Sequence, residues 1–424
     1  MSARPPAGVT RPIAALDVGS SKVAALVGVA GLDGTVTPLG LGARACRGVK
    51  RGLVNDMAAT EAAIRAAMDD AERQAGMQAG HVVVSLSAGG LASEVAEVEL
   101  PVPEGRVTRD DVARLLAEGR RSIDEGPGRT VLHAHPALYV IDGTNRVSDP
   151  VGFHAAKLGV GIHVVTASTP PIRNLDECVR AAHLGIQTIV ASPVAAGMAV
   201  LEPEERDIGV ALIELGAGVT TIGCYASDQL LAIASVAMGG QDITDDIAAT
   251  LATRRIHAEK LKNVHGSATL TPRDSHEFVD VPPIVEDGAA EPARATAAQL
   301  NQIIRARLDQ LFGRVNDALK TIGFTGQSGR QVVLTGGGAE LAGIADFAQS
   351  ALGRAVRVGK PRGLAQLSGG SSNAAWATVA GLAAFAAADP DNLWTLAEAQ
   401  ARRAQSGAPK SGLLRLVHNL RQGL

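Results

Sequence analysis

IAALDVGSSKVAALVGVA, residues 13–30, is two apolar runs split by the small polar turn Asp17-Val18-Gly19-Ser20-Ser21-Lys22. Short runs rich in Val, Leu and Ala on either side of such a turn predict a buried β-hairpin. Working outward, a helix is predicted over about 55–75, with Ala58, Ala59, Ala62, Ile64, Ala67, Met68 and Ala71 on one side and Gly76 as its C-cap. The strand HVVVSLSA follows. Between Gly89 and about Thr166 the texture changes to β-rich pieces (94–102, 130–141, 159–166) around one helical segment near 108–122, which predicts an inserted α+β module. A helix over 171–184, a strand over 186–190 and an Ala-rich helix over 193–201 restore the α/β pattern.

A second cycle begins at Asp207. IGVALIELGAGVTTIGCYASDQLLAIASVAMGG repeats the strand, glycine turn, strand, turn, strand layout of residues 13–45 without repeating its sequence, so the chain reads as one fold built twice. Helices are predicted over 242–258 and 299–319, with a polar, Pro-containing stretch at 271–292 between them. QVVLTGGGAELAGIADFAQSAL is strand, glycine turn, helix, and 374–388 is a last buried helix.

Composition removes several classes of function. A length of 424 residues with 46% hydrophobic content predicts two to four subdomains. A net charge of -3 and only two Trp, two Tyr and six Phe leave neither a broad basic surface nor stacking platforms, which speaks against nucleic acid as a partner. Cys46, Cys178 and Cys224 lie far apart with no CxxC, so neither a zinc site nor a disulfide framework is expected. The N-terminus shows no apolar stretch of signal-peptide length before Asp17, and no window reaches the roughly 20 apolar residues of a membrane span. A cytosolic chain with at most peripheral membrane contact is expected.

Three glycine turns each follow an apolar strand: Asp17 to Lys22, Glu214-Leu215-Gly216-Ala217-Gly218-Val219-Thr220, and Thr335-Gly336-Gly337-Gly338-Ala339-Glu340. Turns without Cβ atoms let backbone N–H groups curl around an oxyanion, which holds a phosphate without a basic patch. Ser20, Ser21 and Lys22 add donors to the first. Asp17 and Glu214 stand at strand ends and suit a hydrated Mg²⁺, which takes one or two carboxylates and keeps its waters. Neither the Walker nor the Rossmann glycine pattern is present.

The order of these turns resembles the two phosphate loops and the adenosine loop of the actin/Hsp70/sugar-kinase ATPase superfamily. Within it, ALDVGSSKVAALVG, RGVKRGLVNDM, VLHAHPALYVIDG, DPVGF and VVLTGGGAELAGI, in that order and over nearly the whole chain, are similar to the FtsA cell-division family. The resemblance implies an α/β, actin-like fold of duplicated ribonuclease-H-like lobes with an inserted α+β subdomain. It implies a disordered 1–12; a first lobe of 13–85 and 167–206; an insert of 86–166; a second lobe of 207–240 and 320–395 with an outer subdomain of 241–319; a tether of 396–410; and a membrane-targeting helix of 411–424. ATP and Mg²⁺ are the implied cofactors. Asp17, Gly19, Ser20, Ser21 and Lys22 resemble the first phosphate loop, and Gly216, Ala217, Gly218, Val219 and Thr220 the second. Gly336, Gly337, Gly338 and Ala339 resemble the adenosine loop, and Glu259 and Lys262 the acid and base that flank the nucleoside. Asp17 and Glu214 would hold Mg²⁺ through water.

Departures bear on turnover. Glu214, Ala217 and Val219 stand where the usual second loop has Asp, Gly and Thr, so that one hydroxyl donor is lost or displaced to Thr220, and Ala191-Ser192-Pro193 stands where a related chaperone ATPase has an acid. No base that orients water on the γ-phosphate is evident, so very slow or absent hydrolysis is expected.

At the C-terminus, helical spacing gathers Leu413, Leu414, Leu416, Val417, Leu420 and Leu424 into one arc, with Arg415 opposite and Arg421 at its border. A polar tether upstream favours a helix lying in the membrane interface over one docked on the globule. The implied partners are FtsZ filaments, a second copy of the chain in an actin-like polymer, membrane lipids, and downstream division proteins at the insert. Arg305 and Arg307 lie where the family contacts FtsZ, and a solvated face is the alternative. The implied location is the cytoplasmic face of the cell membrane at the division site. A small-molecule kinase or chaperone-type ATPase, or another actin-like scaffold, remains the alternative on the same fold. His133 and His135 share one side of a strand, with no third ligand nearby in sequence, and are read as structural.

Overall fold

The computed structural model describes residues 11–123, 126–284, 293–325, 331–362 and 373–388. The first lobe opens with β1 (Arg11–Val18), β2 (Lys22–Ala30) and β3 (Val36–Ala45), then a small ribbon of β4 (Val49–Lys50) and β5 (Leu53–Val54), α1 (Met57–Ala75) and β6 (His81–Leu86). The insert holds β7 (Ala92–Pro101), α2 (Arg109–Ser122), β8 (Arg129–Ile141), β9 (Asn145–Val147) and β10 (Lys157–Ser168). The lobe resumes with α3 (Thr169–Ala181), β11 (Gly185–Ala191), α4 (Ser192–Val200) and α5 (Pro203–Ile208).

The second lobe has β12 (Val210–Leu215), β13 (Thr220–Ala226), β14 (Gln229–Val236), α6 (Gly240–Thr250), α7 (Arg255–His265), β15 (Phe278–Val281), β16 (Ala293–Thr296), α8 (Ala297–Thr321), β17 (Gln331–Thr335), α9 (Ile344–Leu352), β18 (Ala355–Val358) and α10 (Ala377–Ala388). Its sheet runs β14-β13-β12-β17-β18, and the first lobe's runs β11-β6-β1-β2-β3. In each, three antiparallel strands in meander are followed by two parallel strands beside the first, so the two sheets share one topology. β1, β2 and β12 are almost wholly buried because helices cover both faces, which is why they read as continuous apolar runs.

Two helices change sides. α4 leaves the first lobe and packs Ala196 and Val200 against Val210, Leu212 and Val333 of the second. α10 returns from the second lobe and packs Val379, Leu382, Ala383 and Phe385 into the first lobe's core. They cross so closely that a Cβ on Gly381 would fall 1.6 Å from the Ala195 carbonyl oxygen. The insert is a four-stranded antiparallel sheet, β7-β10-β8-β9, with α2 on one face. Near its other face the Ser93 hydroxyl accepts the Ile233 amide of β14 at 2.8 Å.

Local differences from the sequence expectations have physical causes. β1 begins at Arg11, whose guanidinium donates to the Ala386 carbonyl at 2.6 Å, so residues 11 and 12 are ordered strand rather than part of a disordered start. The face that α1 buries is Thr60, Ala63, Ile64, Ala67, Met68, Asp70 and Ala71, leaving Ala58 and Ala62 exposed, because alanines recur on every side of this helix and do not mark the inner one. The helix predicted over 242–258 is two, α6 and α7: Ala252 takes a left-handed φ of 50°, a stop that no glycine announces. The tether at 396–410 and the helix at 411–424 lie outside the described residues.

Gly381→Ala is expected to lower stability by about 3 kcal/mol through overpacking of the crossing, read as a fall in the urea midpoint. A midpoint equal to the parent's would show that the helices have room to part.

Candidate nucleotide site between the lobes

β1 and β12 end opposite one another, and the acids Asp17 and Glu214 feel each other's charge. The Ser85 hydroxyl at the end of β6 donates to Asp17 Oδ1 at 2.6 Å. Glu214 accepts from Thr221 at 2.8 Å through one oxygen and from Thr378 of α10 through the other. Ser192, the first residue of α4, lies 3.2 Å from the Thr221 hydroxyl. Burial, reinforced by the Glu214 charge and opposed by Ser85 and Lys22, pushes Asp17 up to about 6, although a little solvent still reaches it. Burial also pushes Lys22 down, with Asp17 opposing, and its Nζ sits 4.3 Å from the centre of the Trp376 ring. Two mutually repelling carboxylates that accept from hydroxyls, with the Lys22 amine nearby, are a donor set that a hydrated Mg²⁺ fits.

The turns themselves come together. Gly218 of the second is so close to the first that a Cβ there would fall 2.8 Å from Ser20 Oγ. The amides of Ser20 and Ser21, and of Ala217, Gly218 and Val219, donate to no acceptor among the described residues. Gly216 closes its own turn onto the Val219 carbonyl at 3.0 Å, and Gly19 closes the first onto Lys22 at 3.0 Å. In the third turn Gly336 has φ 83°, and a Cβ there would fall 2.7 Å from the Leu215 carbonyl oxygen. Gly338 lies against Leu215 at the end of β12, Gly337 faces Ala375, and the Gly336 amide donates to the Ala374 carbonyl at 3.1 Å.

Other predicted residues are placed differently. Thr220 is fully buried and spends its hydroxyl on the Met238 carbonyl at 2.9 Å, so it does not replace the missing loop hydroxyl; its neighbour Thr221 is the one that reaches an acid. Ala339 is packed inward, in the core of the second lobe. Lys262 donates to Glu259 at 2.7 Å, to Thr244 at 2.8 Å and to the Gly240 carbonyl at 3.0 Å, forming a closed network beside the second turn. Burial pushes Glu259 up, but Lys262 with the Thr244 and Asn263 donors outweighs this and leaves it below the usual range.

Arg307 is bidentate to Asp246, with both contacts at 2.6 Å, and Arg305 donates to the Ala268 carbonyl at 2.6 Å over the Phe347 ring. Both arginines are engaged within the chain rather than offered as a free basic face. A third histidine, His163 of β10, pairs directly opposite His135, which sequence distance concealed. Among the described residues no group of three His, Cys, Asp or Glu is arranged to hold a metal. The sequence carried no signal for Ser85, Thr378 or Trp376, which reach the site only through folding.

Comparison with known proteins now places the chain. The family model for cell division protein FtsA matches residues 211–381, and that for the SHS2 domain inserted in FtsA matches residues 88–166. Cell division protein FtsA of Agrobacterium fabrum is 36% identical over 87% of this chain and 86% of its own length. The chain belongs to the FtsA family of cell-division proteins. Solved structures show the same fold: the PilM-PilN type IV pilus biogenesis complex aligns with a TM-score of 0.59 at 18% identity, covering 88% of this chain and 97% of that one. MreB5 of Spiroplasma citri bound to ADP aligns with a TM-score of 0.53 at 14% identity, covering 88% and 96%. The duplicated sheets with their inserted subdomain are therefore an actin-like architecture.

Because the folded pKa of Asp17 lies above the usual 3.8, the folded chain retains a proton that the unfolded chain releases between about pH 4 and 6. The stability this group confers is present below pH 4 and lost as pH rises through 6. Asp17→Asn should flatten that dependence and exceed the parent at pH 7 by about 3 kcal/mol at most. Urea unfolding across pH 4–8 checks this; parallel curves for the two proteins would refute it.

Proposed function

We propose that this cell-division protein binds ATP with Mg²⁺ between its lobes, assembles with copies of itself into an actin-like polymer, and anchors FtsZ filaments to the cytoplasmic membrane. The observation that carries the nucleotide assignment is the set of amides at Ser20, Ser21, Ala217, Gly218 and Val219, on two turns that meet, with no acceptor among the described residues. Opposed nests of this kind attract an oxyanion without net basic charge. Asp17 and Glu214 would hold the metal through its waters, and the metal would neutralise phosphate charge that the two acids otherwise repel. Gly336, Gly337 and Gly338 would lie against the nucleoside, with the Glu259–Lys262 pair on its other side.

Very slow or absent turnover is part of the proposal. Both oxygens of Glu214 are occupied by Thr221 and Thr378, and Ser192-Pro193 brings no carboxylate to the site. Asp17, the other acid there, accepts the Ser85 hydroxyl at 2.6 Å. A group that orients the attacking water is a recurring part of fast phosphoryl transfer.

Residues 411–424, on the 396–410 tether, would seat the molecule at the membrane interface. The outer subdomain of 241–319 would meet FtsZ, with Arg305 and Arg307 shaping that surface from within. The insert would take part in protomer contacts and meet downstream division proteins.

Gly336→Val places a branched residue at a left-handed φ and against Leu215, and should weaken ATP binding at least about tenfold by titration; an unchanged affinity would remove the third turn from the site. Deletion of 411–424 should abolish flotation with anionic liposomes and, with it, liposome co-sedimentation of FtsZ. Undiminished flotation would remove the membrane assignment.

A further inference from the structure

The ribbon of β4 and β5 turns at Arg51-Gly52, and both residues adopt left-handed backbone, with φ 52° and 71°. Two-residue hairpin turns of this kind favour Asn, Asp or Gly at the first position, so an arginine there is a locally unfavoured choice. Its side chain reaches across the cleft to the second lobe. The guanidinium makes two bonds to Asp242 of α6, at 3.0 and 2.6 Å, and one to the Ala237 carbonyl.

The ribbon tip is wedged between the phosphate turns. Gly52 donates its amide to Ser20 Oγ at 2.9 Å, and a Cβ on it would fall 2.6 Å from Ala88 of the first lobe and 3.3 Å from Val219 of the second. A Cβ on Gly218 would fall 3.1 Å from both the Arg51 Cα and its amide nitrogen. Gln241, beside Asp242, donates to the Ser20 carbonyl at 3.1 Å. A phosphate entering between Ser20 and Gly218 must therefore move the ribbon.

We propose that Arg51 is a latch across the mouth of the cleft, holding the lobes together through Asp242 and Ala237 and setting the rate at which nucleotide enters and leaves. The proposal rests on the nucleotide assignment above. The Arg51 side chain is 43% exposed and that of Asp242 13%, so the latch is a half-desolvated bidentate pair, strong enough to gate and weak enough to open.

Arg51→Asn removes the guanidinium while placing a residue that tolerates the left-handed turn, so the variant should fold as well as the parent. Release of N-methylanthraniloyl-ATP with Mg²⁺, chased with excess ATP in stopped flow, should be about fivefold faster in R51N. D242N, which retains an oxygen to accept the Gly239 amide, should behave alike, and R51N/D242N should be no faster than either single variant. Release unchanged in R51N, or single effects that multiply in the double variant, would overturn the latch.

A second measurement needs no nucleotide. The three native cysteines are buried, so spin labels on D69C of α1 and I256C of α7 can report lobe separation. R51N should broaden and lengthen that distance in the nucleotide-free protein, and R51K should restore it in part; an unaltered distribution in R51N would sink the latch. If the parent fails to retain the nucleotide at all, the nucleotide assignment falls, and the separation still decides the latch.

Discussion

The crossing of α4 and α10 is the constraint on which the rest of the molecule depends. Both helices are apolar and buried nearly all round, α4 reaching across to the second lobe and α10 to the first, so each lobe is packed with a helix from its counterpart. At the crossing, Gly381 and Ala195 bring backbones together more closely than any side chain would permit. That closeness makes the lobes a hinged pair rather than two independent domains. It also points both helix N-termini at the same place: Ser192 opens α4 beside Thr221, and Thr378, in the first turn of α10, bonds Glu214. The positive ends of two helix dipoles thus converge where the two acids face each other.

Around that point the chain is electrostatically poised for a ligand. Asp17 and Glu214 repel, and burial denies them the screening that water would provide. Hydroxyls relieve part of the repulsion, and a lysine stacked on Trp376 relieves some more. Glycine turns on either side present amides with no acceptor among the described residues. Magnesium and phosphate together would answer both deficits, one by neutralising carboxylate charge and the other by accepting N–H donors. The hydroxyls that cap both acids are the ground for the slow turnover proposed above.

Periodicity and glycine placement disclosed most of the architecture. The hairpin at 13–30, its counterpart after 207 and the β-rich interruption at 89–166 are legible because buried strands, tight turns and inserted sheets each leave a local compositional trace. The positions of Asp17, Glu214 and the three turns follow from the same traces. What failed to show was set by contacts distant along the chain. The side of α1 that faces the sheet, the break between α6 and α7, the inward packing of Ala339 and the internal pairing of Arg307 with Asp246 all depend on neighbours that no local window contains.

The sequence by itself determined that this is a duplicated α/β chain with glycine turns at equivalent strand ends, since local hydrophobic pattern and backbone permissiveness are properties of short segments. Only the tertiary structure decided which hydroxyls reach the acids, that Thr221 and not Thr220 does so, and that the Arg51 turn spans the cleft to Asp242. Those outcomes hang on hydrogen-bond distances of 2.6 to 3.0 Å between segments as much as 191 residues apart, and such distances are fixed by how the two cores pack through the α4–α10 crossing.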